Sequence, residues 1–217
     1  MSPYSAAALV SGRGSNLQAL IASCADPSFP AEIVIVVSNK SDAKGLDHAR
    51  AAGIATAVVE HGGYRNRESF DRAVHDVLVG EGAELVCLAG FMRLLSSWFV
   101  ETWHDRIVNI HPSLLPSFKG IDAHAQAIAA GAKLSGCTVH IVRAEMDAGP
   151  ILVQAAVPVL PGDDEDSLAA RILTMEHKCY PLAVKLIAEG RVQIDGDTAI
   201  IDMPGDTDDH IISPSVR

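Results

Sequence analysis

The stretch "EIVIVVS", Glu32 to Ser38, decides the fold. From Ile33 to Val37 every residue is apolar and β-branched, with no polar side chain to face water on alternate sides. A strand with one wet face would alternate; an unbroken run implies a strand covered on both faces, as in a parallel sheet flanked by helices. "ELVCLAG", Glu84 to Gly90, repeats the pattern. Around Glu32–Ser38, further strands are expected at Ala6–Val10, Thr56–Val59, Leu85–Ala89, Ile107–Ile110, Thr138–Val142 and Ile151–Val157. Amphipathic segments lie between them: "SNLQALIASCA", "AKGLDHARAAG", "NRESFDRAVHDVLVG" and "AHAQAIAAGA". Strands alternating with helices imply an α/β chain with a doubly wound, mostly parallel sheet.

Beyond residue 136 the pattern changes. "CTVHIVRAEMDAGPILVQAAVPV" reads as two strands joined by an acidic loop bearing Gly and Pro. "DDEDSLAARILTMEHKCYPLAVKLIAEG" reads as one long C-terminal helix, with Asp166 or Ser167 capping its start and Pro181 kinking it. "VQIDGDTAII" carries an Asp-Gly dipeptide between apolar runs, the signal of a β-hairpin. Residues 1–202 are expected to form a single domain, and the acidic tail 203–217 to be poorly ordered.

The chain has 217 residues, 48% of them hydrophobic, enough to bury a sizeable core. A net charge of −10 argues against general binding to nucleic acid or to an anionic membrane, so an anionic ligand needs positive charge gathered locally. Cys24, Cys87, Cys137 and Cys179 are widely spaced, form no CxxC pair and sit in apolar surroundings, which reads as reduced, buried thiols. No apolar run approaches the ~18 residues of a membrane span, and "MSPYSAAALV" has no basic n-region of a secretion signal. A cytoplasmic protein is expected.

Chemistry gathers at three places. The first strand runs into "LVSGRGSNLQAL", where glycines at a strand-to-helix turn let backbone amides approach an anion. Gly12 and Gly14 are present, but Leu17 holds the third position of a dinucleotide fingerprint and the Walker lysine is missing. What remains suits one phosphate, bound by the Gly14, Ser15 and Asn16 amides with Arg13 nearby. A tight turn that merely needs glycine fits the pattern equally well. In "RIVNIHPSLLP", Asn109 and His111 emerge on the same side of a strand end. In "EMDAGPI", Asp147 sits on a flexible loop; were it to reach His111, 36 positions away, it would favour the charged ring and fix its tautomer. Patterning leaves open whether Asn109 and His111 serve a turn or catalysis.

The segments "SGRGSNLQAL", "LAGFMRLLS", "NIHPSLLPSFKG", "GCTVHIV", "EMDAGPILVQ" and "EHKCYPLAVKLIAEGRV" resemble, in order, the phosphoribosylglycinamide formyltransferases of purine synthesis. The resemblance covers roughly residues 6 to 192, and Asn-x-His-Pro-Ser-Leu-Leu-Pro followed by Asp-x-Gly-Pro is its most specific part. It implies a Rossmann-like formyltransferase fold with a phosphate-binding half, about 1–104, and a catalytic and folate-binding half, about 105–202. It implies Asn109, His111 and Asp147 as catalytic residues, Gly14, Ser15 and Asn16 on the substrate phosphate, and Glu176 on its ribose. Arg67 with Met92, Arg93, Leu94 and Leu95 would bind the folate, and Arg143, Ala144, Glu145 and Met146, up to Asp147, would line its pteridine pocket. Arg13, Lys119, Arg143 and Ala144 depart from residues familiar in the family.

The implied reaction moves the formyl group of 10-formyltetrahydrofolate to the amine of glycinamide ribonucleotide. Asn109 and protonated His111 would stabilise the oxyanion, with Asp147 tuning the ring. The folate is a cosubstrate and no metal is required; His124, His140 and His177 lack zinc-ligand spacing. The partners implied are the two small substrates, for a monomer or homodimer.

Formyltetrahydrofolate hydrolase resembles the chain around "NIHPSLLPSFKG", but commonly reads His-His-Ser where His111-Pro112-Ser113 stands here. Methionyl-tRNA formyltransferase would need a basic tRNA-binding domain that this acidic chain lacks. A non-catalytic nucleotide-binding domain rests on the glycine loop alone. Trp98 and Trp103 read as packing aromatics, Glu176 on pattern alone as a solvated-face residue, and "GDDEDS" as an acidic helix start rather than a metal site.

Overall fold

The structure is a computed structural model, described over residues 2–202 and, for the backbone, 212–213. It divides into two compact units, with the boundary falling after Asn109.

The first unit contains β1 (Tyr4–Val10), α1 (Ser15–Cys24), β2 (Ala31–Ser38), α2 (Lys44–Ala51), β3 (Ala55–Val58), α3 (Arg67–Gly80), β4 (Leu85–Leu88), α4 (Ser97–Thr102) and the first residues of β5 (Ile107–His111). Its strands run in the order β3-β2-β1-β4-β5, every neighbouring pair parallel. From β1 the chain winds outward to β2 and β3, then returns to β4 on the other side. The strands β1 and β4 are therefore the switch point, and ligands of such sheets bind beyond the carboxyl ends of the strands there. Residues Ala6–Val10 are wholly buried, as the unbroken apolar reading requires. Leu17 and Leu20, three apart on α1, turn one face inward, and burying each contributes roughly 2 kcal/mol. Phe70, Val74 and Leu78 form the inward stripe of α3, whose start is fixed by a capping box between Asn66 and Ser69.

The second unit contains α5 (Ala123–Ala129), β6 (Leu134–Ile141), β7 (Ile151–Pro158), α6 (Glu165–Ala188), the hairpin β8 (Val192–Asp195) and β9 (Thr198–Ile201), and β10 (Ile212–Ser213). The strand β7 lies between β6 and β10, antiparallel to both. The helix α6 packs on β6 and β7 and buries Leu168, Ile172, Cys179 and Ala183. The expected mostly parallel sheet, long C-terminal helix and Asp-Gly hairpin are all present.

Several boundaries differ from expectation. The strand β3 starts and ends one residue earlier than Thr56–Val59. The strand β6 starts at Leu134, four residues before Thr138, because "LSG" pairs with β7 at Pro158, Val157 and Ala156 despite its weak β propensity. The cap of α6 is Asp164, not Asp166 or Ser167. The Asp164 carboxylate accepts from the Ser167 amide at 2.8 Å, and Ser167 Oγ accepts in return from the Asp164 amide. Pro181 lies inside α6, which continues to Ala188 without the bond its missing N–H would make to residue 177. Cys24 is half-buried, and burial pushes its thiol up to about 11; Cys87, Cys137 and Cys179 are buried as expected. The expectation for the tail from Met203 lies outside the described residues, apart from the backbone of β10.

Candidate active site

In the first unit, the turn from β1 to α1 carries the phosphate-loop residues. Gly14 sits at φ 74°, and a side chain there would bring its Cβ to 2.7 Å from Gly45 Cα. Only glycine allows that approach, which the Gly45 amide completes by donating to the Gly12 carbonyl at 3.0 Å. His48 Nε2 lies 3.1 Å from the Arg13 carbonyl, which can only accept, so this nitrogen donates and Nδ1 accepts from Gln18 Nε2 at 3.2 Å. The turn is thus clamped against α2. No side chain caps the N-terminus of α1 and no acid lies in its first turn, so the positive end of the helix at Gly14 is not neutralised from within α1.

One hydroxyl ties this turn to its neighbours. Ser11 Oγ donates to Asn39 Oδ1 at 2.6 Å and accepts from the Met92 amide at 2.8 Å, and the Ser11 amide donates to the Gly90 carbonyl. The segment Met92–Leu95 therefore starts from a fixed point. Met92 is 78% exposed and Leu94 52%, so two apolar side chains stand in water beside Arg93. The segment ends at Ser96, whose amide donates to buried Asp71 Oδ2 at 2.6 Å and whose hydroxyl caps α4. Burial pushes the Asp71 carboxyl up, against the Ser96 bonds and the Arg67 and Arg93 charges, which hold it down. Arg93 lies 5.1 Å over the Phe70 ring, and its Nε is buried without a hydrogen-bond partner among the described residues.

Asn109 is the residue of β5 that pairs with Leu88. Two positions on, in the second unit, buried His111 ends the strand. His111 Nε2 lies 2.9 Å from the Phe118 carbonyl, and Nδ1 lies 3.5 Å from Asp147 Oδ2. A carbonyl can only accept, so Nε2 carries a proton and the Nδ1 edge meets a carboxylate. The Gly120 amide donates to the same Asp147 oxygen at 2.7 Å, and Lys119 Nζ pairs with Glu145 Oε1 at 2.9 Å. The structure thus brings together two side chains 36 positions apart.

Backbone strain gathers here. Phe118, Asp122 and Asp147 have φ of 55°, 57° and 48°, each costing on the order of 1 kcal/mol for a residue that bears a Cβ. Gly149, at φ 111°, has no room for a Cβ, which would fall on the Ile141 carbonyl oxygen. Beneath the loop, Thr138 Oγ1 donates to the Ser113 carbonyl and accepts from the Leu115 amide, while Gln154 Nε2 donates to the Leu115 carbonyl. A cleft of about 320 Å³ opens beside these groups, lined by Leu115, Lys119, Arg143, Glu145, Asp147 and Gly149 among others. His140 and His124 are both held down by burial; the His140 ring bonds the Ile141 carbonyl.

Glu176 is buried on α6 rather than solvated, and its charge adds to the burial and Cys179 contact that push the Cys137 thiol up. Trp103 is buried and donates to His75 Nδ1 at 3.1 Å, while Trp98 packs under Arg72, so both are packing aromatics. Ser11, Asn39 and Asp71 carry no sequence signal of their own: Ser11 and Asp71 accept from main-chain amides far along the chain, at Met92 and Ser96, and Asn39 accepts from the Ser11 hydroxyl.

The formyl transferase family matches residues 5–184 of the chain. The trifunctional purine biosynthetic protein adenosine-3 of Bos taurus is 53% identical over 188 residues, which cover 87% of this chain and 19% of that protein. The phosphoribosylglycinamide formyltransferase of Escherichia coli (strain K12) is 44% identical, covering 89% of this chain and 92% of that one. The crystal structure of glycinamide ribonucleotide transformylase 1 from Symbiobacterium toebii superposes with a TM-score of 0.90 at 45% identity, over 92% of this chain and 94% of that one.

Proposed function

The chain belongs to the formyl transferase family, among the phosphoribosylglycinamide formyltransferases, and from that premise we propose that it moves a formyl group from N10 of 10-formyltetrahydrofolate to the amine of glycinamide ribonucleotide, a step of purine synthesis. The observation that carries the reading is the pairing of His111 with Asp147 at 3.5 Å beside a cleft. The amine lone pair attacks the formyl carbon, and the carbonyl π electrons move onto oxygen. Asn109 donates its side-chain N–H to that oxygen, an interaction whose loss typically costs about 10²–10³ in turnover. As the tetrahedral carbon collapses, the bond to N10 breaks, and one proton leaves the attacking nitrogen while another reaches N10.

In this reading His111 carries that proton. Its Nε2–H is anchored by the Phe118 carbonyl, and a proton on Nδ1 would be drawn to the Asp147 carboxylate. Asp147 is itself oriented by the Gly120 amide, so the ring and its partner are set before a substrate arrives.

The Gly14, Ser15 and Asn16 amides, at an uncapped helix start, would take the substrate phosphate, and Glu176 its ribose. Arg67 with Met92 to Leu95 would meet the folate; the exposed Met92 and Leu94 offer apolar surface to its rings, and a guanidinium suits its carboxylates. Arg143, Ala144, Glu145 and Met146 would line the pteridine pocket.

The test is purified protein incubated with both substrates, followed by tetrahydrofolate formation and by the mass of formylated ribonucleotide. Absence of both products would refute the reading, and formate release that ignores the amine would make the chain a hydrolase instead.

A further inference from the structure

Residues 118–120 hold three different groups in succession. The Phe118 carbonyl accepts from His111 Nε2 at 2.9 Å, Lys119 Nζ pairs with Glu145 Oε1 at 2.9 Å, and the Gly120 amide donates to Asp147 Oδ2 at 2.7 Å. The backbone that presents the Phe118 carbonyl and the Gly120 amide is left-handed at both residues, with φ of 55° and 82°. A phenylalanine adopts that conformation at a cost, which the anchors must offset.

Two of the anchors are main-chain groups, and the third is a side chain. The outer sides of Lys119 and Glu145 are wet, their side chains 37% and 76% exposed, whereas the His111 and Asp147 side chains are 6% and 12% exposed. The ion pair therefore closes the solvent end of a row whose other two members are shielded. It joins the loop after His111 to the loop from Arg143 to Asp147.

We propose that Lys119 is a positioning residue, which through Glu145 latches the loop carrying Asp147 onto the loop that fixes the His111 ring. The consequence for catalysis rests on the formyl transfer proposed above, in which Arg143 to Asp147 line the folate pocket. An exposed pair of this kind is worth at most about a factor of five in an equilibrium. The latch accordingly biases the loop toward the position it holds here rather than creating that position.

The test compares wild type with Lys119→Met, Lys119→Arg, Glu145→Gln and the Lys119→Met/Glu145→Gln double variant. Hydrogen exchange of residues 142–149 should be about threefold faster than wild type in Lys119→Met and in Glu145→Gln, no faster in the double variant than in either single one, and restored to the wild-type rate in Lys119→Arg. The difference from wild type should fade at about 1 M salt, where the pair is screened. With both substrates present, KM for 10-formyltetrahydrofolate should rise by a similar factor while KM for glycinamide ribonucleotide stays put. Unchanged exchange in both single variants, or additive effects in the double, would overturn the latch. Exchange is read without turnover, so a wild-type protein that transfers no formyl group would refute the proposed function and leave the latch to be judged by exchange alone.

Discussion

Replacing Gly149 by alanine presses on the point where the Asp147 loop rejoins β7. The residue sits at φ 111°, outside even the left-handed well that asparagine and aspartate tolerate. An added Cβ would fall on the Ile141 carbonyl oxygen and come within 2.8 Å of Arg143 Cγ. The arginine stem can swing away, but the carbonyl belongs to β6, whose Ile141 amide donates to the Pro150 carbonyl at 2.9 Å. Backbone strain at such a position costs on the order of 1–3 kcal/mol, and losing the Ile141–Pro150 bond adds about 1 kcal/mol. The total is about 2–4 kcal/mol, which for a chain of this size lowers Tm on the order of 10 °C. If the loop moves to escape the clash, Asp147, two residues back, moves with it. A displacement of about 1 Å at such a group costs on the order of 100-fold in turnover. Thermal melts read the first effect and steady-state formyl transfer the second. An alanine variant with the melting temperature and the turnover of the wild type would refute this account of the loop.

Two further predictions concern the side chains proposed for catalysis and a buried acid. Asn109→Ala and His111→Ala should each lower kcat by about 10²–10³ with the circular dichroism spectrum retained; wild-type kcat in either would remove that residue from the mechanism. Asp71, raised by burial above its ordinary value of 3.8, holds its proton more tightly folded than unfolded. Stability should therefore fall as pH rises through the window from 3.8 to the raised value, with a slope of up to about 1.4 kcal/mol per pH unit. Asp71→Asn keeps an oxygen for the Ser96 amide and should flatten that slope in denaturant titrations between about pH 4 and 7. A slope unchanged by the substitution would mean that another group carries it.

The strands were legible where the physics is local. Ile33 to Val37 and Leu85 to Leu88 announce burial on both faces because nothing in them tolerates water on either side. The start of β6 was not legible, because Leu134, Ser135 and Gly136 are strand residues only by virtue of β7 beside them. The cap of α6 was misplaced within an acidic run for a related reason. Asp163 is taken by Arg171 at 2.7 Å, eight residues on, which leaves Asp164 as the cap. The glycine turn could be read as a turn, but not the Ser11 hydroxyl that secures it. His111 and Asp147 meet only because β6 and β7 return the chain. No spacing rule reports that meeting, and the family resemblance supplied it.

The Ser11 hydroxyl has a consequence of its own. Two loops that would each receive a different substrate meet at this oxygen: the glycine turn carries Ser11, the segment from Met92 donates to it at 2.8 Å, and a 2.6 Å bond to Asn39 holds it in place. Neither can drift far without stretching a short contact or dragging its neighbour along. The two substrates would therefore not arrive at independent addresses, since a movement of either loop would be passed to the other through that one hydroxyl.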